Sequence, residues 1–222
     1  MWLFNSRNKS LGDVRPDNGD AKNIAAHYGL TGKPFVRIIY SHHSYYNDSD
    51  FVAQMLSEVI DKWGIYEPVH LDRTDGGGKY EKMIHGEIGN PNCKVIIIFA
   101  RDSFDVDFSE SQLGHPTFYR EMELCVELIN REQKKDCMFF PAYIVKSEDE
   151  IPQIKAAIIE KVREYNNDLS QQFAEDLNKT LFSLNSIVAS KPSCNAVIKI
   201  GHRETYMKSL EDELVDKQFK RL

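Results

Sequence analysis

A glutamate near the start of one predicted helix is among the residues whose type and position could carry chemistry. Val95 to Phe99 has the composition of a buried strand, and a long loop follows it. Glu121 comes next, beside the apolar stripe of a helix that begins at Phe118. A carboxylate at such a place can stabilise positive charge that develops on a substrate. It can equally stabilise the helix, because negative charge near a helix amino terminus interacts favourably with the macrodipole. Both roles stay open at this point.

A glycine-rich loop, residues 72–80, lies between a predicted strand and a predicted helix. Gly76, Gly77 and Gly78 would let backbone N–H groups approach a ligand phosphate closely. The first glycine of a P-loop is missing, and Tyr80 stands where that motif has a metal-binding serine or threonine. The loop is either a phosphate-binding element of another kind or an ordinary mobile loop.

Two more polar groups directly follow predicted strands. The cluster Ser41-His42-His43-Ser44-Tyr45-Tyr46 ends the first strand, and Asp102-Ser103-Phe104 ends the Val95 strand. Adjacent histidines on an extended chain point in different directions, so we predict no metal site there. The first cluster contains ligand-binding residues or plain loop residues, and the second is a ligand contact or only a turn.

The elements that position these residues alternate between strands and helices. Short β-branched runs predict strands, and apolar residues at three- and four-residue spacing predict the helices between them. The predicted strands are 36–40, 68–71, 95–99 and 138–145, and the predicted helices are 51–63, 80–88 and 118–131. This alternation predicts a parallel sheet covered on both faces, with ligands beyond the carboxyl ends of its strands.

The second half of the chain departs from this alternation. Two helical periods, residues 151–165 and 169–188, predict a helical insertion, about 148–190, before a last strand at 196–200. Leu210 and Leu214 belong to the apolar face of a closing helix. We therefore expect a polar arm with a short helix at residues 1–33, and one domain at 34–222.

Composition restricts the function classes. The 222 residues are 41% hydrophobic and 28% charged, with a net charge of −6, which is ordinary for a globular protein and disfavours nucleic acid as the main partner. The four cysteines follow no metal-ligand spacing and are expected to be buried thiols. No apolar stretch reaches the roughly 20 residues of a membrane span, so we expect a cytoplasmic protein.

The motifs, in their order along the chain, resemble those of Toll and interleukin receptor (TIR) domains. Arg37-Ile38-Ile39-Tyr40-Ser41-His42 resembles the family's first box, and the Leu71-Asp72 strand end with its glycine loop resembles the second, the BB loop. Val95 to Phe99 with Ser103-Phe104 is similar to the third strand and the turn after it. Phe118-Tyr119-Arg120-Glu121-Met122 with Cys125 resembles the start of the αC helix. The resemblance covers about residues 34 to 145.

The resemblance implies a flavodoxin-like parallel sheet of about five strands and, as in many bacterial members, an enzyme that cleaves the nicotinamide–ribose bond of NAD. NAD would be the substrate, with no further cofactor and no metal. The αC glutamate of those members is catalytic, and Glu121 is the matching position. A carboxylate near the ribose stabilises the oxocarbenium character of the breaking bond. Trapping by water would give ADP-ribose, and trapping by a group of the same molecule would give a cyclic product. In antiphage defence, such an enzyme would act by making a nucleotide signal or by depleting NAD.

The same resemblance implies the binding residues. Tyr40, Ser41 and His42 would line the nicotinamide–ribose side, and Ser103 lies in the turn after the third strand. The loop would close over the dinucleotide or over a neighbouring copy in a homo-oligomer; its predicted binding residues are Asp72, Arg73, Gly77 and Tyr80.

Two alternatives remain open. The family's tryptophan before the glutamate is absent, and if Tyr119 takes its place, Glu123 becomes the rival catalytic residue, although Glu127 would then stand where a small residue is expected. The protein could also be a non-catalytic TIR adaptor that binds other TIR domains. A relative of nucleotide-binding proteins or nucleoside transferases with the same sheet is a third possibility.

Overall fold

Among the residues that the structure describes, the sheet has five strands in the order β2-β1-β3-β4-β5, and every neighbouring pair is parallel. The structure is a computed structural model, and it describes residues 34–41, 48–69, 86–101, 103, 117–131, 138–164, 168–192 and 200–219. The strands are β1 Phe35–Ile39, β2 Glu67–Val69, β3 Cys93–Phe99, β4 Phe139–Val145 and β5 Ile187–Ser190. This order is that of flavodoxin-like folds, which confirms the predicted fold class.

Five helices flank the sheet within the described ranges. They are α1 Asp48–Trp63, α2 Thr117–Asn130, α3 Ile151–Glu164, α4 Asp168–Lys179 and α5 Ile200–Asp216, and residues 86–89 are also helical. Gly64, at φ +62°, ends α1 in the left-handed conformation that glycine often adopts after a helix. Short 3₁₀ turns cover Glu148–Glu150 and Leu181–Ser183.

The core divides into two layers, one on each face of the sheet. Strand residues alternate between the layers: Phe35 and Ile39 of β1 face one layer, whereas Val36 and Ile38 face the other. The first layer contains buried side chains of α2, α3 and α4, and the second contains those of α1 and α5. Strands β1, β3 and β4 are buried along their whole length, as near-continuous apolar runs predict.

The last strand that the structure describes lies earlier in the chain than we predicted, and the helical insertion before it is confirmed. Residues 196–199 of the predicted strand lie outside the described residues. Helix α4 ends at Lys179 instead of continuing to Val188, and the last strand is Ile187–Ser190, which pairs with β4. Ile200, which we assigned to the last strand, begins α5. The physical reason is that Ile187 and Ala189 fill the second core layer beside β4, whereas the side chain of Val188 packs against the first.

Two smaller expectations also have outcomes. Cys93 and Cys125 are buried, as predicted, whereas Cys137, Cys194 and the arm at 1–33 lie outside the described residues. Among the helices that the structure describes, none has the length and apolar character needed to cross a membrane.

Candidate functional site

The carboxyl ends of β1 and β3 lie side by side where the strand order reverses. Strand β2 lies on one side of β1, and β3, the next strand in the chain, lies on the other. Flavodoxin-like sheets bind ligands at this switch point. Tyr40 and Ser41 follow β1 there, and Ser103 follows β3. Among the described residues, α2 with Glu121 is the next helix after β3.

A buried arginine stands in the middle of β1. Arg37 has apolar neighbours on both sides in the sequence Phe-Val-Arg-Ile-Ile, and none of its surface is exposed. Its position in the strand gives it the same face as Phe35 and Ile39, the face covered by α2. A buried charge needs hydrogen-bonded partners of opposite charge, because its hydration is lost.

Two glutamates supply those partners. Arg37 Nη1 donates to Glu87 Oε2 at 2.7 Å, and Arg37 Nη2 donates to Glu121 Oε1 at 2.9 Å. The exposed fraction of the side chain is 0% for Glu87 and 2% for Glu121. We call these three residues the Arg37 cluster. It joins β1, the helical residues 86–89 and α2 beneath the surface.

Glu121 has one oxygen that the cluster does not use. Its Oε2 atom is buried and accepts no hydrogen bond from the part of the chain that the structure describes. Burial raises the pKa of Glu121, the positive charge and hydrogen bond of Arg37 act against that increase, and the negative charge of Glu87 adds to it. A buried carboxyl group with a perturbed pKa, near the start of a helix that follows a sheet strand, is a candidate functional residue.

Glu123, the rival for the catalytic role, points elsewhere. It forms an ion pair with Arg120 one turn earlier, and the exposed fractions of the two side chains are 40% and 49%. Surface pairs of this kind contribute little to stability and leave both groups solvated. The structure therefore brings Glu121, and not Glu123, to the inside of α2.

The turn after β3 is built around Ser103. Ser103 Oγ accepts a hydrogen bond from the Ala100 N–H at 2.7 Å, and the Ser103 N–H donates to the Ala100 carbonyl at 3.1 Å. These bonds give Ser103 the turn-forming role that was one of its two alternatives. Tyr40 and Ser41 are 8% and 4% exposed, so both lie largely under the surface at the end of β1.

The remaining predicted binding residues, His42, Asp72, Arg73, Gly77 and Tyr80, lie outside the described residues. Among the residues that are described, no group of three or more histidine, cysteine, aspartate or glutamate side chains could hold a metal ion.

Sequence analysis missed Arg37 and Glu87 as members of the site. A signal was present, because an arginine inside an otherwise apolar strand must find carboxylate partners if the strand is central. Its partners are 50 and 84 residues away in the chain, so the pairing itself depends on the fold.

No family model matches this sequence, and no curated protein is significantly similar to it. Arg37 holds the carboxylate of Glu121 through Oε1, and Oε2 accepts no hydrogen bond from the described residues. Such a carboxylate can stabilise a cation or accept a proton.

Proposed function

We propose that this protein is a TIR-type enzyme that cleaves the nicotinamide–ribose bond of NAD, with Glu121 as its catalytic carboxylate. The observation that carries the proposal is the state of Glu121: it is buried and held by Arg37, and its Oε2 atom is not engaged by described residues. The strand order supports it, since β1 and β3 meet at the switch point where such sheets bind ligands.

In this reaction the main catalytic requirement is one negative charge beside the ribose. As the bond to nicotinamide breaks, the ribose gains oxocarbenium character, and the carboxylate of Glu121 stabilises that charge. A site with low water content strengthens the interaction, because charges attract more strongly where the dielectric constant is low. Nicotinamide is already a cationic leaving group, so no strong general acid is required. Water then yields ADP-ribose, and an internal nucleophile yields a cyclic nucleotide.

The biological role follows from this chemistry. An enzyme that consumes NAD acts either by depleting the cofactor or by making a nucleotide signal, and bacterial antiphage defence can use both. The cytoplasm and a homo-oligomer held by contacts between TIR domains are the setting that we propose. NAD is the small-molecule partner in this proposal.

The proposal is tested by nicotinamide release from NAD, measured by chromatography with purified full-length protein at high concentration. Glu121→Gln keeps the size of the side chain and an acceptor for Arg37 but removes the negative charge. We expect release to fall by about 10²-fold or more, the usual effect of losing a group that stabilises transition-state charge. Glu123→Gln, two positions away on the exposed side of α2, should change release by no more than about twofold, within the effect of a surface pair.

Circular dichroism and thermal unfolding of both variants show whether each remains folded. If folded Glu121→Gln released nicotinamide as fast as wild type, Glu121 would not be catalytic. Loss of activity in Glu123→Gln alone would instead establish the other helix register.

A non-catalytic TIR adaptor is the second candidate, and a specific observation favours it. The ion pair with Arg37 gives Glu121 a structural role, since it helps to compensate a buried cation. The adaptor predicts no nicotinamide release by wild type at any protein concentration. It also predicts that Glu121→Gln leaves self-association unchanged in analytical ultracentrifugation.

A further inference from the structure

Arg37 connects Glu121 to a second carboxylate that the proposed chemistry does not use. The two terminal nitrogens of one guanidinium are divided between the glutamates, with 2.7 Å to Glu87 Oε2 and 2.9 Å to Glu121 Oε1. Bonds between a guanidinium and a carboxylate are directional, so each of them fixes the orientation of both partners. Any change in how Arg37 binds Glu87 must therefore alter how it binds Glu121.

The Arg37 cluster has two carboxylates and only one positively charged group. One guanidinium stands between two carboxylates, and all three side chains are almost completely buried. Within the described part of the chain, the charged groups that act on Glu121 are Arg37 from β1 and Glu87 from the helical residues 86–89. Arg37 favours the ionised form of Glu121, whereas Glu87 and burial favour the protonated form.

We propose that Arg37 is the positioning residue for Glu121 and that Glu87, by sharing the same guanidinium, sets how strongly Arg37 holds the catalytic carboxylate. The catalytic role of Glu121 rests on the proposed function, whereas its control by Arg37 and Glu87 rests on the contacts among the three side chains. Glu87 belongs to a different element from Glu121, so a shift of the helical residues 86–89 relative to β1 changes both the orientation and the charge of Glu121. The cluster thus gives the site a means of regulation from the preceding crossover.

Two substitutions test the proposal because they act in opposite directions. Glu87→Gln keeps an acceptor for Arg37 Nη1 but removes the competing negative charge, so the pKa of Glu121 should fall. Arg37→Met removes the positive charge at similar length, so the pKa of Glu121 should rise. Neighbouring charges within hydrogen-bond distance shift a carboxyl pKa by about one unit or more. A purely steric disturbance of the core has no reason to produce shifts of opposite sign.

The pKa of Glu121 is measured directly from its carboxyl carbon by NMR during a pH titration, with the resonance identified by its absence from Glu121→Gln. Glu164→Gln, which removes an exposed carboxylate of the i,i+3 pair with Lys161, is the matched control and should leave the titration unchanged. Opposite shifts in Glu87→Gln and Arg37→Met are the expected result. Equal shifts, or none, would overturn the proposal.

The pH dependence of nicotinamide release gives a second readout. The ionised form of Glu121 is the active one, so release rises with pH through its pKa, and the acidic limb should move to lower pH in Glu87→Gln. In Arg37→Met the limb should move to higher pH, and kcat should fall by about tenfold or more because orientation is lost.

The two proposals can fail separately. If wild type releases no nicotinamide, the proposed function fails, and the NMR titration still decides whether Arg37 and Glu87 control Glu121. If release depends on Glu121 but its pKa does not respond to Glu87→Gln, the enzyme stands and this inference is wrong. Should Arg37→Met fail to fold, Glu87→Gln alone decides: a fall in the pKa supports the proposal, and an unchanged pKa overturns it.

Discussion

Arg37 illustrates why a single buried charge can matter more than many surface pairs. Its guanidinium loses its hydration in the middle of β1, and the bonds to Glu87 and Glu121 compensate for that loss. A buried pair of this kind adds little net stability compared with an apolar core. Breaking it is costly, because the remaining charges stay buried without their partner.

We expect Arg37→Met to lower the free energy of unfolding by about 3–5 kcal/mol, since two buried carboxylates lose their common cation. The matched control is Arg120→Met, which breaks the exposed pair with Glu123 and should cost less than about 1 kcal/mol. Urea unfolding at neutral pH measures both values. Similar losses in the two variants would mean that water reaches the Arg37 cluster and that it is not a buried ion pair.

At the scale of elements, the end of α5 is anchored in the second core layer. Gln218 adopts a left-handed conformation, φ 58°, and the Phe219 N–H donates to the Leu214 carbonyl at 2.9 Å, which is the pattern of a Schellman turn. The turn directs Phe219 back into the core, where it lies among three aromatic rings and the buried ammonium of Lys94. The ring centroids are 4.7 Å away for Phe140, 5.6 Å for Tyr66 and 6.4 Å for Trp63.

The backbone of Phe219 is anchored as firmly as its ring. Its carbonyl accepts hydrogen bonds from the Tyr66 hydroxyl at 3.1 Å and from Lys94 Nζ. Lys94 Nζ also lies 5.0 Å from the centre of the Phe219 ring, which is within range of a cation–π contact. Lys94 is therefore a second charged residue in a buried strand. It lies on the opposite face of the sheet from Arg37, and its contacts with Phe219 explain its burial.

Phe219→Ala should lower the free energy of unfolding by about 3–5 kcal/mol, because it leaves a cavity among rings that cannot collapse. Val215→Ala is the matched control in the same helix. Val215 is 50% exposed, so its truncation should change the free energy by no more than about 0.5 kcal/mol. Thermal and urea unfolding measure both, and equal effects would show that the segment after α5 is not part of the cooperative core.

At the scale of the whole molecule, stability should decrease from the centre of the sheet to its edges. Strand β3 is paired on both sides, with β1 and β4, and all seven of its residues are buried. Strand β2 has three residues and pairs only with β1 among the described strands. Central strands open mainly by global unfolding, whereas short edge strands also open locally.

Hydrogen exchange should therefore be slowest at the amides of Val95 to Ile98 and much faster at β2. Exchange measured by NMR under native conditions gives the opening free energy of each strand in one sample, so β2 serves as the internal reference. We expect the β3 values to approach the free energy of global unfolding. Comparable exchange in the two strands would contradict the arrangement of β3 at the centre of the sheet.

The elements with local signals can be recognised from the order of the amino acids. Apolar runs and their alternation with helical spacing indicated four of the five described strands, and the regular spacing of apolar residues indicated helices around them. Periodicity also placed Glu121 beside the buried stripe of α2, and the structure shows it inside. These features depend on residues a few positions apart, so no knowledge of the fold is needed to recognise them.

The position of β5 and the partners of Arg37 depend on long-range contacts, which local patterns do not reveal. Leu177, Leu181, Leu184 and Val188 continue a helical spacing, yet residues 187–190 pair with β4, because pairing with a neighbouring strand outweighs a weak local preference. Arg37, Glu87 and Glu121 come from distant parts of the chain and meet only when the sheet is formed and α2 covers it. The orientation of Glu121 is a property of these long-range contacts, and local spacing carries no information about it.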